Sequence, residues 1–164
     1  MKLIICPLAD LNKALASQPS HVLSLISPDA APPVCTGAEH RILRFNDINA
    51  PAKGLTPANP RDIESLMEFA QNWSGEAPLL AHCWAGISRS TAAAYIIACQ
   101  RSAPGTEAAL AQQLRDAAPE ATPNPLMIAL ADTLLDRNGR MSAAIATIGR
   151  GREAGQGALF TLNL

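Results

Sequence analysis

The chain has 164 residues, of which 48% are hydrophobic and 16% charged, and its formal net charge is −1. This length and composition are typical of one globular domain with a sizeable core and exclude a disordered chain. A net charge so close to zero provides no basic field for nucleic acid or anionic lipid, so we expect neither as a partner.

No stretch of the chain has the length of a membrane span, because the longest apolar run, residues 92–99, is far too short. The first residues, MKLIIC, resemble the start of a signal peptide, but the apolar stretch is too short for one because Pro7 and Asp10 follow it. We therefore expect a cytoplasmic protein with reduced thiols. The cysteines lack metal-ligand spacing, so no metal or cofactor is predicted. They are Cys6, Cys35, Cys83 and Cys99.

Short runs rich in leucine and β-branched residues predict four strands. These strands are Leu3–Cys6, Val22–Ile26, Arg41–Phe45 and Pro78–His82. Helical periodicity and capping residues predict five helices. They run from Pro60, after the cap Asn59, to Trp73; from Ser88 or Arg89 to about Gln100; from the cap Thr106 to about Ala117; from Asn124-Pro125 to about Asp136; and through Met141, Ala144, Ile145 and Ile148.

Strands that alternate with helices, followed by helices alone, indicate an α/β fold with a short, mostly parallel central sheet flanked by helices. Residues 1–164 are predicted to form a single domain. The helix that begins near Arg89 is apolar nearly all round, so we expect it at the centre of the molecule. Residues 149–157 contain several glycines but follow a helix, which excludes a dinucleotide-binding turn and predicts a mobile C-terminal loop.

The residues that carry chemistry lie where the fourth strand meets the second helix, and residues 82–90 read HCWAGISRS. In open α/β sheets, ligands bind at the carboxyl ends of strands, and a helix N-terminus presents unpaired amides and partial positive charge. A loop at this place can direct several amides at one anion. We therefore predict a phosphate-binding loop. It consists of Trp84, Ala85, Gly86, Ile87, Ser88 and Arg89.

Each residue type in this run has a chemical use. Cys83 is the candidate nucleophile, because a helix N-terminus and a nearby cation favour the reactive thiolate. Arg89 can hold two phosphate oxygens at once, and Gly86 lets the backbone approach the anion. Ser90 offers a hydroxyl that stabilises the departing thiolate. His82 is expected to orient the loop by hydrogen bonding.

This pattern resembles the signature of the protein tyrosine phosphatase superfamily, in which a cysteine, five residues and an arginine precede serine or threonine. Its form here is similar to that of dual-specificity and compact bacterial tyrosine phosphatases. A later segment, Pro123–Ile128, matches their P-N-x-x-apolar pattern, although Ala118-Pro119 stands where an Arg-Pro pair is usual. The resemblance covers residues 20–137. It implies a phosphatase-type fold and a phosphocysteine intermediate.

The resemblance also implies an aspartate proton donor some thirty to forty residues before the cysteine. Asp47 lies 36 residues before Cys83, just after a predicted strand, and would protonate the leaving group and then activate water. Asn124 could position water or the loop, or it could simply cap the helix that begins at Pro125. The loops 29–39 and 49–58 are predicted to determine substrate choice.

The implied function is the hydrolysis of phosphate monoesters. The substrate would be a phosphorylated protein or a small phosphate ester, and a protein phosphatase of this kind would be specific for phosphotyrosine or have dual specificity. One alternative is a phosphoinositide, inositol-phosphate or RNA 5′-phosphatase, which the absence of lysine from residues 84–88 disfavours. Another alternative is a non-catalytic phosphate-binding module. Cys6 or Cys35 could protect Cys83 as a disulfide, whereas Cys99 is expected in the core.

Overall fold

The computed structural model describes residues 1–164 and contains five strands and six α-helices. The strands are β1 (Lys2–Pro7), β2 (His21–Ile26), β3 (Glu39–Arg44), β4 (Leu79–Cys83) and β5 (Phe160–Asn163). The helices are α1 (Leu11–Leu15), α2 (Pro60–Asn72), α3 (Arg89–Gln100), α4 (Glu107–Ala117), α5 (Pro125–Leu134) and α6 (Arg140–Ile148). The predicted α/β class is confirmed.

The strands form one sheet in the order β3-β2-β4-β1-β5. The first four strands are parallel to their neighbours, and only β5 runs antiparallel, beside β1. The central strand β4 therefore has its carboxyl end between those of β2 and β1. Because parallel strands end at the same edge of a sheet, the loops that follow these three strands are brought together.

Apolar side chains cover both faces of the sheet, but unequally. A cluster of 33 buried residues fills the side on which α2 to α6 pack, and a cluster of six lies under α1 on the other side. Helix α3 lies inside the larger cluster, with residues 89–99 all buried. The prediction of a buried central helix is confirmed, since a helix that is apolar all round must be covered all round.

The prediction that the last part of the chain contains only helices is wrong, because the strand β5 follows α6. Leu162 of β5 pairs with Leu3, and Phe160 pairs with Ile5. Only four residues form this strand, and Phe160 and Leu162 alternate with more exposed neighbours in the way that a half-buried strand requires. The pairing covers an otherwise open edge of β1. Because the partner strand is distant in the sequence, the local pattern of residues 160–163 gives little indication of this pairing. Helix α1, with five residues, was also too short to predict.

Two predicted helix ends are corrected. Helix α5 ends at Leu134 instead of about Asp136, because Asp136 adopts a φ of +53°, which a right-handed helix does not allow. Thr106 stands before α4, but its side chain does not cap the helix: the hydroxyl donates to the Ala103 carbonyl at 2.7 Å. The cap Asn59 of α2 is confirmed, with Asp62 completing a capping box.

The segment 149–157 is a loop, as predicted, but it is not a free one. The amide of Arg152 donates to the Pro119 carbonyl, and the amide of Gly157 donates to the Ala85 carbonyl, each at 2.8 Å. These contacts tie the loop to the segment that follows α4 and to the turn that follows β4. No helix of the chain combines the length and the apolar character that crossing a bilayer requires.

Candidate active site

Residues 84–88 form the turn between the buried strand β4 and the buried helix α3. Gly86 has a φ of +71°, in the left-handed region that favours glycine. A Cβ atom at Gly86 would also lie 2.6 Å from the backbone nitrogen of Pro7, at the end of β1. The tight turn therefore depends on a residue without a side chain at position 86.

The carbonyl groups of this turn are used by neighbouring segments of the chain. Four of them accept hydrogen bonds from backbone amides: Trp84 from Leu8 at 3.2 Å, Ala85 from Gly157 at 2.8 Å, Ile87 from Thr122 at 2.9 Å and Ser88 from Asn124 at 3.3 Å. The amides of Trp84, Ala85, Ile87 and Ser88, in contrast, donate to no acceptor of the protein. A turn whose amides are available in this way is suited to accept an anion.

Cys83 ends β4 and is only 1% exposed. Its sulfur accepts a hydrogen bond from the Gly86 amide at 3.3 Å and lies 3.2 Å from the hydroxyl oxygen of Ser90. Ser90 is in the first turn of α3 and is fully buried. The first-turn hydroxyl of Ser90 thus lies beside the Cys83 sulfur, and the Gly86 contact places that sulfur at the base of the turn.

Arg89, the first residue of α3, directs its buried guanidinium back toward the same place. Its Nη1 atom donates to the Phe45 carbonyl at 3.0 Å, which fixes the group in the protein. Its Nε atom is buried without a hydrogen-bond partner and lies 3.9 Å from Oδ2 of Asp47. A buried donor without an acceptor is costly in a finished core, and at this position it suits an anionic ligand.

Asp47 follows β3 and reaches the turn from the neighbouring loop. Its Oδ1 atom accepts from the hydroxyl of Ser88 at 2.7 Å and from the amide of Asn124 at 2.8 Å. Both hydrogen bonds end on the same oxygen, so Oδ2 has no hydrogen-bond donor. The side chain of Asp47 is 35% exposed, which leaves it open to a ligand and to water.

Asn124 caps α5, which is one of the alternatives that the sequence left open, and it also contacts Asp47. Its side-chain oxygen accepts from the amide of Met127 at 3.1 Å, which caps α5, while its side-chain nitrogen donates to Asp47. The two functions are compatible because an amide group has an acceptor at one end and a donor at the other.

His82 is fully buried and contacts β2. Its Nε2 atom lies 2.6 Å from the Ser24 hydroxyl, which lies 2.8 Å from Nε2 of His40. Burial, and after it the nearby charges of His40 and Arg89, lower the pKa of His82 to about 4. His82 is therefore neutral near pH 7, and its side chain ties the end of β4 to the adjacent strand.

A cavity of about 620 Å³ opens above Cys83. Its lining includes Leu8, Trp84, the end of β2 at Ile26, and four residues of the segment that follows β2: Ser27, Ala30, Ala31 and Pro33. Arg89 is the only cation among the lining residues, Asp47 is the only carboxylate, and most of the others are apolar. Trp84 stands at the rim with 74% of its surface exposed. Of the two loops predicted to determine substrate choice, the loop 29–39 contributes residues to the cavity lining, whereas the loop 49–58 contributes none.

All four cysteines are free thiols. Cys6 packs on the six-residue face of the sheet, with Cys35 beside that cluster, whereas Cys83 belongs to the larger core. Burial raises the pKa of the Cys6 and Cys99 thiols to about 12, so both are neutral. No group of three or more His, Cys, Asp or Glu side chains is placed to hold a metal ion.

The fold also occurs in solved structures of phosphatases. No family model matches the sequence, and no curated protein matches it. DUSP15 shares 15% identity over 89% of both chains, with a TM-score of 0.60. The phosphatase domain of Yvh1 from Chaetomium thermophilum shares 17% over 85% of this chain and 93% of that domain, with a TM-score of 0.61. Human DUSP28 shares 19% over 88% and 94%, with a TM-score of 0.59.

These similarities establish the fold: the chain shares the fold of the dual-specificity phosphatases in these solved structures. The resemblance read from the sequence is confirmed at the level of the fold. It extends beyond the predicted residues 20–137, since the structural match to DUSP15 covers 89% of the chain.

Several contacts of the site were not predicted from the sequence. The contact of Ser88 with Asp47, the support of Arg89 by the Phe45 carbonyl and the contact of Gly157 with the turn all join distant segments. The position of Leu8 near the turn could have been predicted from the sequence. Leu8 follows a predicted strand, and the carboxyl ends of parallel strands lie at the same edge of a sheet. For Gly157 no local pattern was informative.

Proposed function

We propose that the protein hydrolyses phosphate monoesters with Cys83 as nucleophile. The observation that carries this proposal is the position of the buried Cys83 sulfur at the base of one cavity, beside an arginine and beneath a turn whose amides have no protein acceptor. This arrangement suits a tetrahedral dianion. The amides and the guanidinium would surround its oxygens and leave the phosphorus facing the sulfur.

In the first step the Cys83 thiolate attacks phosphorus, a sulfur–phosphorus bond forms, and the phosphorus–oxygen bond to the leaving group breaks. The leaving oxygen takes a proton from Asp47. Oδ2 is the suitable atom, because Ser88 and Asn124 both donate to Oδ1. A positioned acid of this kind contributes about 10²–10⁴-fold to the rate.

In the second step a water molecule gives a proton to Asp47 and attacks the phosphocysteine. The sulfur–phosphorus bond breaks, inorganic phosphate is released, and the sulfur departs as thiolate. Ser90 can donate a hydrogen bond to that thiolate across the observed 3.2 Å. Asp47 is protonated again at the end of the cycle, so the atoms and charges balance without a metal ion or cofactor.

The cavity supports aryl phosphates, such as phosphotyrosine in a protein or a small aryl ester, as the preferred substrates. Its walls are largely apolar, and Trp84 at the rim offers an aromatic surface. Arg89 is the only lining cation, and one cation matches one phosphate. Inositol phosphates and RNA 5′-ends carry several negative charges that would meet no further cation, so these alternatives are not favoured. A nucleophilic thiol also needs a reducing compartment, which supports the proposed cytoplasmic location.

The test is turnover of p-nitrophenyl phosphate by the wild-type protein and by three variants. Cys83→Ser should lose at least about a thousandfold in kcat, because the nucleophile is removed. Asp47→Asn should lose roughly 10²–10³-fold, because the proton donor is removed while the side-chain shape is kept. Cys35→Ser is the matched control and should keep full activity. Vanadate should inhibit, and EDTA should not.

Undiminished turnover by Cys83→Ser would exclude the proposed mechanism. A wild-type protein that binds a phosphotyrosine peptide without any turnover would favour the non-catalytic phosphate-binding module instead. A panel of phosphotyrosine peptide, phosphoserine peptide and inositol phosphate tests the substrate class, and we expect the fastest hydrolysis with phosphotyrosine.

A further inference from the structure

Gly157 is a buried residue in an exposed part of the C-terminal loop. Its neighbours Gly155, Gln156 and Ala158 are all exposed. The amide of Gly157 donates to the Ala85 carbonyl at 2.8 Å, across 72 positions of the sequence. This one residue therefore connects the C-terminal segment to the turn that carries the candidate phosphate site.

The contact is too close for a side chain. A Cβ atom at Gly157 would lie 2.8 Å from the carbonyl oxygen of Gly86, 3.2 Å from its carbonyl carbon and 3.4 Å from Cγ1 of Ile87. The first two atoms belong to the backbone of the turn, so the turn itself would have to move. A Cβ atom at Gly155, two residues earlier, would have no other atom within 4 Å, so the constraint is specific to Gly157.

Gly157 is held in place from the other side as well. The next amide, that of Ala158, donates to Oε1 of Glu120 at 2.8 Å, and Glu120 is only 5% exposed. Beyond Leu159 the chain enters β5 at Phe160, and β5 pairs with β1. The carboxylate and the strand pairing thus fix the position from which Gly157 contacts the turn.

The contact reaches the nucleophile through a single peptide group. The Ala85 carbonyl and the Gly86 amide belong to the same peptide unit, which is planar and trans, so they point in opposite directions. The carbonyl accepts from Gly157, and the amide donates to the sulfur of Cys83 at 3.3 Å. Holding the carbonyl outward therefore aims the amide at the sulfur, and the two hydrogen bonds polarise one another.

We infer that Gly157 is a positioning residue of the candidate active site, which acts on Cys83 through the peptide group between Ala85 and Gly86. The inference rests on the proposed function and adds the C-terminal segment to the machinery of that site. Gly157 touches no reacting atom. It determines the orientation of a donor that does.

The test compares Gly157→Ala with the matched control Gly155→Ala. We expect kcat for p-nitrophenyl phosphate to fall about 10- to 100-fold in Gly157→Ala and by less than about twofold in Gly155→Ala, because misplacing a group by a fraction of an ångström is costly only at the site. A second readout is the concentration of inorganic phosphate that halves the alkylation rate of Cys83 by iodoacetate, followed by peptide mass spectrometry. We expect it to rise about tenfold in Gly157→Ala, at an unchanged melting temperature.

A second pair of variants covers the case in which Gly157→Ala does not fold. Glu120→Ala removes the acceptor of the Ala158 amide without adding an atom near the turn, and Glu120→Gln keeps an oxygen in its place. We expect lower kcat and weaker phosphate protection in Glu120→Ala, and recovery of both in Glu120→Gln. Wild-type kcat and wild-type phosphate protection in both Gly157→Ala and Glu120→Ala would overturn the inference.

The phosphate-protection readout needs no turnover. A wild-type protein without phosphatase activity would therefore contradict the proposed function, while the effect of Gly157→Ala on phosphate protection of Cys83 would still decide the positioning role. Conversely, an active wild-type protein that is insensitive to both substitutions would leave the proposed function intact and exclude the positioning role.

Discussion

At the scale of single residues, Asn124 joins the stability of a helix to the chemistry of the site. The oxygen of its amide group caps α5, and the nitrogen holds the candidate proton donor Asp47. Ser88 makes the second hydrogen bond to the same carboxylate oxygen. A residue that serves two partners through two atoms allows the two effects to be separated by substitution.

We expect Asn124→Asp to keep the helix cap and lose catalysis. Aspartate is as good a cap as asparagine, but its second oxygen would face Oδ1 of Asp47, and two carboxylates at this distance repel. The predicted kcat is about 10- to 100-fold lower, with urea stability close to that of the wild type. Asn124→Ala is the comparison: it should lower activity and also cost about 1 kcal/mol of stability, because the cap is lost. Wild-type kcat in Asn124→Asp would contradict the role assigned to this contact.

At the scale of elements, the turn 84–88 is supported by three separate segments. The segment that follows β1 contacts it through Leu8, the segment before α5 through Thr122 and Asn124, and the C-terminal loop through Gly157. The turn needs this support because four of its five amides donate to no acceptor of the protein. Its geometry is therefore a property of how these segments pack around β4 and α3.

Gly86→Ala should damage this support and the activity together. The substitution places a side chain at a φ of +71° and 2.6 Å from the nitrogen of Pro7. Gly139→Ala, before α6, is a matched control, with a φ of +82° and nothing within 4 Å of the added carbon. The control should cost only the backbone term, about 1–2 kcal/mol, and leave activity unchanged. Gly86→Ala should cost more in urea unfolding and reduce kcat/KM more than a hundredfold. Equal stability losses in the two variants would show that contact with Pro7 is unimportant.

At the scale of the whole molecule, buried titratable groups make stability depend on pH. Burial by itself raises the pKa of Glu107, but the hydrogen bonds that its carboxylate accepts from its own amide, Arg137, Gly105 and Arg140 outweigh burial and lower it. Glu107 therefore stabilises the fold above the ordinary carboxyl pKa, and that contribution disappears as the pH falls through its lowered value. His82 acts in a higher range of pH.

Because of His82, the free energy of unfolding should decrease as the pH is lowered from 7 to 5. Its pKa is about 4 in the folded protein and about 6.5 when unfolded, so below pH 6.5 the unfolded chain binds a proton that the folded protein excludes. The expected loss of unfolding free energy from pH 7 to pH 5 is about 2 kcal/mol from this group. Urea unfolding at the two pH values measures it, provided that the m-value stays constant. His82→Asn should show a correspondingly smaller difference between the two pH values, and an unchanged difference would assign the effect to other groups.

The sequence by itself determined the class of fold and the residues of the turn, because these depend on interactions between neighbours in the chain. A strand, a glycine-bearing turn and a helix N-terminus are all encoded within residues 79–100, so the positions of Cys83, Arg89 and Ser90 relative to one another follow from local geometry. Asp47 was selected as a candidate because the family resemblance implies an acid some thirty to forty residues before the cysteine, and β3 ends shortly before Asp47.

Tertiary structure alone decided what holds these groups in place. Asn124 and Asp47 are 77 residues apart, and Gly157 and Ala85 are 72 apart, yet each pair is joined by a hydrogen bond of 2.8 Å. No periodicity or spacing encodes such contacts, because they arise when separate elements pack at one edge of a sheet. The strand β5 was missed for the same reason: four residues express little intrinsic preference, and pairing with β1 supplies the hydrogen bonds and burial that stabilise them.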